Sequence, residues 1–193
     1  MAAAALREQL NALLSSMFSQ GLVDEQFQQL QMLQDEGGTP GFVAEVVTLF
    51  CDDAERIIAE IATLLEQPIV NFDKVDAYVH QLKGSSASVG AQKVKFTCMQ
   101  FRQLCQEKSR DGCLMALAVV RNDFYDLRNK FQTMLQVVPY LFFLVFDLQI
   151  ITTYKVMIDN VCVSCNLKIT TLVFLLLKFI TRYIMARSYA GSF

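Results

Sequence analysis

The sequence predicts an all-α protein: an antiparallel four-helix bundle with two additional N-terminal helices, followed by a C-terminal extension of unassigned structure. Three observations lead there. Through residues 1–136 apolar side chains recur at spacings of three and four, the period of a helix with one buried face. Glycine and proline punctuate those runs at Gly37, Gly38, Pro40, Pro68, Gly90 and Gly112. Composition then changes near residue 137. Residues 1–136 hold 12 Lys and Arg against 17 Asp and Glu, a net of −5, whereas residues 137–193 hold 5 against 2, a net of +3, together giving the −2 of the whole chain. The domain organisation read from this is 1–136 and 137–193. Neither part carries a basic stripe for nucleic acid.

Residues 3–18 and 22–35 form the two shorter helices, the second rich in glutamine. Gly37 and Gly38 break the chain, and Thr39 is the expected N-cap of the next helix, with Pro40 at its first position. From there Val43, Val46, Phe50, Ala54, Ile57, Ile61, Leu64 and Leu65 make the clearest amphipathic pattern in the chain. Pro68 precedes a helix over 72–89 with Asn71 as N-cap. Gly90 separates it from a helix near 91–108, with Val94, Cys98, Phe101, Leu104 and Cys105 inward. Asp111 or Gly112 opens the last one, with Leu114, Leu117, Phe124, Leu127 and Phe131 inward. Four long amphipathic helices joined by short turns pack as an antiparallel bundle.

The chain has one histidine, His80, within HQLKGSSASVGA. One imidazole cannot build a multi-histidine site, but it can act as a nucleophile, a base or a ligand. A lone histidine is ordinarily a core residue satisfied by a hydrogen bond. The helical wheel argues otherwise here. Val75, Tyr78, Leu82 and Val89 share one side, and His80 falls nearly opposite with Asp73, Asp76, Ala77, Lys83, Gly84 and Ala87. A mid-helix glycine costs about 1 kcal/mol relative to alanine. Gly84 lies one turn after His80, and Ala77 and Ala87 bound the same spot, leaving room for a second protein. Lys83 supplies a cation within reach of an anion held on the ring, although alone it would read as a solvated lysine. An approachable imidazole beside an ammonium suits transient phosphorylation.

The run from His80 to Lys95, HQLKGSSASVGAQKVK, resembles the phosphorylation motif of histidine-containing phosphotransfer proteins, in the form of the plant members of the multistep phosphorelay associated with cytokinin signalling. The likeness covers roughly residues 1–136, including TPGFVAEVVTLFCDDAERII and VRNDFYDLRNKF. The histidine, lysine, glycine and small-residue positions of the motif are all filled, unlike in the pseudo-members that lack the histidine. The resemblance implies a carrier: His80 takes a phosphoryl group from the aspartate of a hybrid sensor kinase's receiver domain and passes it to a response-regulator receiver. It implies that Lys83 contacts the phosphoryl group and that Gly84 permits docking. The carboxylate, the Mg²⁺ and most of the charge stabilisation would come from the receiver, since phosphoryl transfer needs mainly positioning and electrostatics. The carrier itself is expected to need no cofactor, to have no ATP site and to work in the cytoplasm and nucleus. Its docking surface is expected around His80, at Asp76, Ala77, Gln81 and Ala87. Leu22, Val23 and Phe27 of the N-terminal helices either join that surface or pack onto the bundle.

Nothing else supports an activity of the chain's own. There is no GxxxxGK[ST] loop and no GxGxxG before a helix. The Gly37–Gly41 run lacks the lysine, and Asp52 and Asp53 sit on an ordinary charged face. Ser85, Ser86 and Ser88 have no base to activate them and read as helix-packing residues. Cys98 and Cys105 sit at core spacing in an intracellular class where thiols stay reduced. Cys162 and Cys165 form a lone CxxC that neither zinc nor redox chemistry explains. Residues 1–6 are followed by Arg7 and Glu8, so no signal peptide is expected.

The segment from Val137 departs from the family pattern into Phe, Leu, Ile, Val and Thr, with no glycine between Gly112 and Gly191. One reading is a membrane anchor, which needs about 20 apolar residues; a span over 161–180 would have to accommodate Lys168, with Lys178, Arg182 and Arg187 favouring a cytoplasmic end. Another is a folded extension of strands or a helical hairpin. The third, favoured by the sudden loss of amphipathicity and turn chemistry, is translated read-through past an exon boundary. A relay carrier is therefore set against a non-relaying, receiver-binding or membrane-tethered variant acting as an interaction protein.

Overall fold

The structure, a computed structural model, describes the backbone of residues 2–35 and 41–160 and the side chains of 4–34 and 41–137. Six helices follow one another: α1 (Ala2–Ser19), α2 (Glu25–Asp35), α3 (Phe42–Glu66), α4 (Phe72–Val89), α5 (Gln92–Gln106) and α6 (Arg110–Asn160). No strand occurs among the described residues. The chain divides into two compact units, Met1–Phe146 and Asp147–Phe193. The described part of the second, 147–160, is helical. Among the described residues no helix is long and apolar enough to cross a membrane. The 161–180 window and Cys162 and Cys165 lie outside the described residues.

The core of the first unit is one continuous cluster. α3 contributes Val43, Val47, Phe50, Ala54, Ile57, Ile58, Ile61 and Leu65. These positions keep a four-three rhythm, so Val47 turns inward while Val46 and Leu64, expected inside, are only partly buried against the cluster. α6 buries Cys113, Ala116, Leu117, Val120, Phe124, Leu127, Phe131 and Met134. Leu114, expected inward, is 41% exposed. It lies one residue past Cys113, on the shoulder of the stripe. Tyr78 and Leu104 are likewise only partly buried. Rings lock the helices pairwise. Phe50 of α3 meets Phe124 of α6 edge-on at 6.3 Å, and Phe27 of α2 meets Phe131 of α6 at 5.4 Å between centroids.

The helix ends explain the turns. α3 begins at Phe42 rather than at Pro40, with Gly41 as N-cap at φ 93° and no side-chain cap on it. The amide of Val43 donates instead to Gln34 Oε1 of α2 at 3.1 Å, a partner supplied across the loop. Residues 36–40, including Thr39, lie outside the described residues. α4 starts as expected: Asn71 Oδ1 accepts from the amide of Lys74 at 3.0 Å. It ends in a Schellman turn, with Gly90 at φ 73°, the amide of Ala91 donating to Ser86 O at 2.8 Å and that of Gly90 to Ala87 O at 3.3 Å. α5 closes in the same way, with Lys108 at φ 54° in the position glycine usually fills. Ser109 Oγ then accepts from the amide of Gly112 at 3.1 Å and caps α6, whose start at Arg110 precedes the Asp111 or Gly112 expected.

Polar ties also cross between elements. The Asp123 carboxylate of α6, nearly buried, accepts from Thr97 Oγ1 of α5 at 2.6 Å and pairs with Lys93 Nζ at 3.1 Å. Asp24, before α2, pairs with Lys95 Nζ of α5 at 2.8 Å.

Candidate functional site

α4 buries Val75, Val79, Leu82, Ser86 and Val89. Those five side chains fix the rotation of the helix. At 100° per residue His80 then stands roughly 140° from the middle of the buried stripe, and its imidazole is exposed. Ala77, Gln81 and Gly84 are exposed around it, and Asp76, Lys83 and Ala87 are half-buried. Asp73 is exposed as well, so Asp73, Asp76, Ala77, Lys83, Gly84 and Ala87, expected on the His80 face, all lie outside the buried stripe, and Gln81 stands at the edge of that face.

Gly84 is informative because the fold does not need it. It lies inside a regular helix, and a Cβ added there would meet nothing within 4 Å. Neither backbone conformation nor internal packing asks for glycine, so the helix accepts about 1 kcal/mol of lost propensity for open space beside His80. Lys83 makes no ion pair among the described residues. Its ammonium is therefore uncommitted one turn from the imidazole.

Asp76 is committed. Arg102 of α5 donates from Nε to Asp76 Oδ1 at 2.8 Å and from a terminal guanidinium nitrogen to Oδ2 at 2.9 Å. This two-point hold keeps the Asp76 carboxyl below the ordinary carboxylate range, against the opposing effect of partial burial, and the charge of Arg102 and the nearby His80 act in the same direction. Arg102 was not marked by the sequence pattern. It belongs to another helix, and helix periodicity carries no information about which residues face each other across a groove.

Leu22, Val23 and Phe27 correct the expectation that they could form docking surface. Their exposures are 1%, 1% and 0%. Phe27 lies between Phe18 and Phe131. An apolar residue at the edge of a predicted helix can face a partner or its own bundle, and here it faces the bundle.

The serines after His80 serve the helix. Ser85 Oγ donates to Leu82 O at 3.1 Å and Ser88 Oγ to Ser85 O at 2.7 Å. Ser86 Oγ is buried without a hydrogen-bond partner. Cys98 and Cys105 are buried, and burial pushes both thiols up to about 12. Asp53 pairs with Arg56 one turn on, on the charged outer face of α3. Among the described residues no group of three or more His, Cys, Asp or Glu side chains could hold a metal ion.

Residues 45–130 match the model of the Hpt domain. Histidine-containing phosphotransfer protein 2 of Oryza sativa subsp. japonica is 94% identical over 136 residues, 70% of this chain and 91% of that protein. A crystal structure of a histidine-containing phosphotransfer protein from rice superposes with a TM-score of 0.69 at 87% identity, covering 73% of this chain and 99% of that one. One from maize gives 0.69 at 86% identity, covering 70% and 99%.

Proposed function

The chain belongs to the histidine-containing phosphotransfer proteins of plants, which relay phosphate in multistep two-component signalling, and we propose that in it His80 is the phosphoacceptor. The family is one of carriers that meet receiver domains, not of kinases with an ATP site. The observation that carries the residue assignment is the exposed imidazole of His80 beside the vacancy at Gly84. A ring nitrogen attacks the phosphorus of a receiver's aspartyl phosphate, the carboxylate leaves, and the reverse exchange delivers the group to the next receiver. Lys83 offers its charge to the phosphoryl oxygens. Gly84, with Ala77, Gln81 and Ala87, admits the receiver close to the ring. The chain supplies the nucleophile and the surface, and the receiver supplies the remaining chemistry, so no catalytic turnover belongs to the carrier alone.

The finer reading is that the donors are hybrid kinases and the acceptors regulators of cytokinin signalling, met in the cytoplasm and nucleus. The relay lies within residues 1–136. Incubation with a phosphorylated receiver should leave an acid-labile, alkali-stable phosphate on the protein. His80→Gln should abolish it with helix content unchanged, and normal labelling of that variant would refute the assignment. A fluorescent fusion tests the location. The intact mass of the native protein decides whether residues 137–193 accompany the relay domain.

A further inference from the structure

α4 carries an acid one turn before its exposed imidazole. Asp76 precedes His80 by four residues, so their Cβ atoms stand about 5–6 Å apart on one face. A free carboxylate there opposes phosphoryl transfer. It repels a group that carries roughly two negative charges once attached to the ring.

Arg102 answers that repulsion. Its planar fork takes one carboxylate oxygen at 2.8 Å and the other at 2.9 Å. A lysine, a single point charge, could not reproduce that hold. The two side chains are 30% and 27% exposed, so the pair is partly shielded from solvent. The two cations near His80 thus differ: Arg102 is spent on Asp76, and Lys83 has no ion-pair partner among the described residues.

We propose that Arg102 is a positioning residue of the phosphorelay site, holding the Asp76 carboxylate in a neutral pair so that His80 can take and keep a phosphoryl group. The proposal rests on His80 being the phosphoacceptor. It assigns Asp76 a place in the electrostatics of the ring, beyond contact with a receiver.

The test uses the full chain and phosphoramidate, which needs no receiver. A ring nitrogen of His80 attacks phosphorus, the phosphorus–nitrogen bond of the reagent breaks, and ammonia leaves with the reagent's protons. Labelling rate and phosphohistidine lifetime after removal of the reagent are read for wild type, Arg102→Gln, Asp76→Asn and the double variant. Arg102→Gln should label more slowly and lose its phosphate faster, each by about three- to tenfold, the size expected of one unshielded charge beside a dianion across a helical turn in water. Asp76→Asn should label at least as fast as wild type. The double variant should return to near wild-type behaviour, because the carboxylate that Arg102 restrains is gone. A loss in Arg102→Gln that Asp76→Asn does not show alone, and that Asp76→Asn relieves in the double variant, is the signature that a merely structural pair would not give. Equal lifetimes in wild type and Arg102→Gln overturn the proposal, as does slower labelling of Asp76→Asn or a double variant no better than Arg102→Gln. Absence of His80 labelling in the wild type would instead remove the carrier assignment itself.

Discussion

The amide of Asp24 donates to the carbonyl of Gly90 at 2.9 Å. The turn that enters α2 is thereby bonded to the turn that leaves the His80 helix. Gly90 sits at φ 73°, and a Cβ on it would collide with the backbone nitrogen of Phe27 and stand 2.7 Å from Asp24 Oδ1.

Gly90→Ala should therefore destabilise the protein by about 1–3 kcal/mol, from left-handed strain and the forced separation of the two turns. Gly84→Ala should do the reverse, stabilising by up to about 1 kcal/mol because the site is helical and open, while slowing transfer from a receiver. Urea midpoints and transfer rates measured on both variants check this. A Gly84→Ala protein that is stabler and transfers normally would show that the space beside His80 serves no partner.

Phe27→Ala should cost about 3–5 kcal/mol, the range for emptying a fully buried aromatic site. Chemical denaturation reads this directly. A variant of unchanged stability but weakened receiver binding would restore Phe27 to the docking surface from which its burial removes it.

The Asp76–Arg102 pair should contribute to stability only while Asp76 is ionised. Its folded pKa lies below its unfolded value, so the contribution is present above the ordinary carboxylate pKa of about 3.9 and is lost as pH falls through the lowered value. Because the pair is partly solvated, Asp76→Asn should cost at most about 1 kcal/mol at neutral pH. The gap between wild type and variant should close in acid; a gap that widens there would contradict the assigned pairing.

Cys98 and Cys105 should resist thiol reagents in the native protein. Their thiols are buried and pushed up to about 12, leaving very little thiolate at neutral pH. Cys51, half-buried and raised to about 11, should also react more slowly than an unfolded-state cysteine. Reaction with a disulfide reagent before and after denaturation measures the difference, and fast native labelling of Cys98 would contradict its burial.

The local parts of this fold were legible in the sequence. Asn71 caps α4 and Gly90 ends it because both act within a few residues of themselves, and the rotation that exposes His80 follows from the apolar residues of its own helix. Non-local features were not legible. Gln34 of α2 satisfies the start of α3, with Gly41 as its N-cap, and nothing local to that turn announces a partner from the preceding helix. Leu22, Val23 and Phe27 are apolar in either reading, and only the arrangement of α1, α2 and α6 around them decides that they are core. Leu114 shows a subtler limit: one residue of phase separates it from Cys113, and the apolar pattern accommodates both choices. Arg102 had no signal at all, because nothing in α5 alone says that Asp76 faces it.

The matched domain, residues 45–130, omits α1 and α2 entirely. Yet Phe27 occupies the hollow above Phe131, Gln34 completes the first turn of α3, and Asp24 is tied to Gly90 and Lys95. The cooperative folding unit is thus larger than the recognisable module. An excised 45–130 fragment would lack Phe131 and the first residues of α3, and would leave the Gly90 carbonyl without the amide of Asp24. Autonomy of this carrier begins at its first helix, and truncation studies of the relay should respect that border.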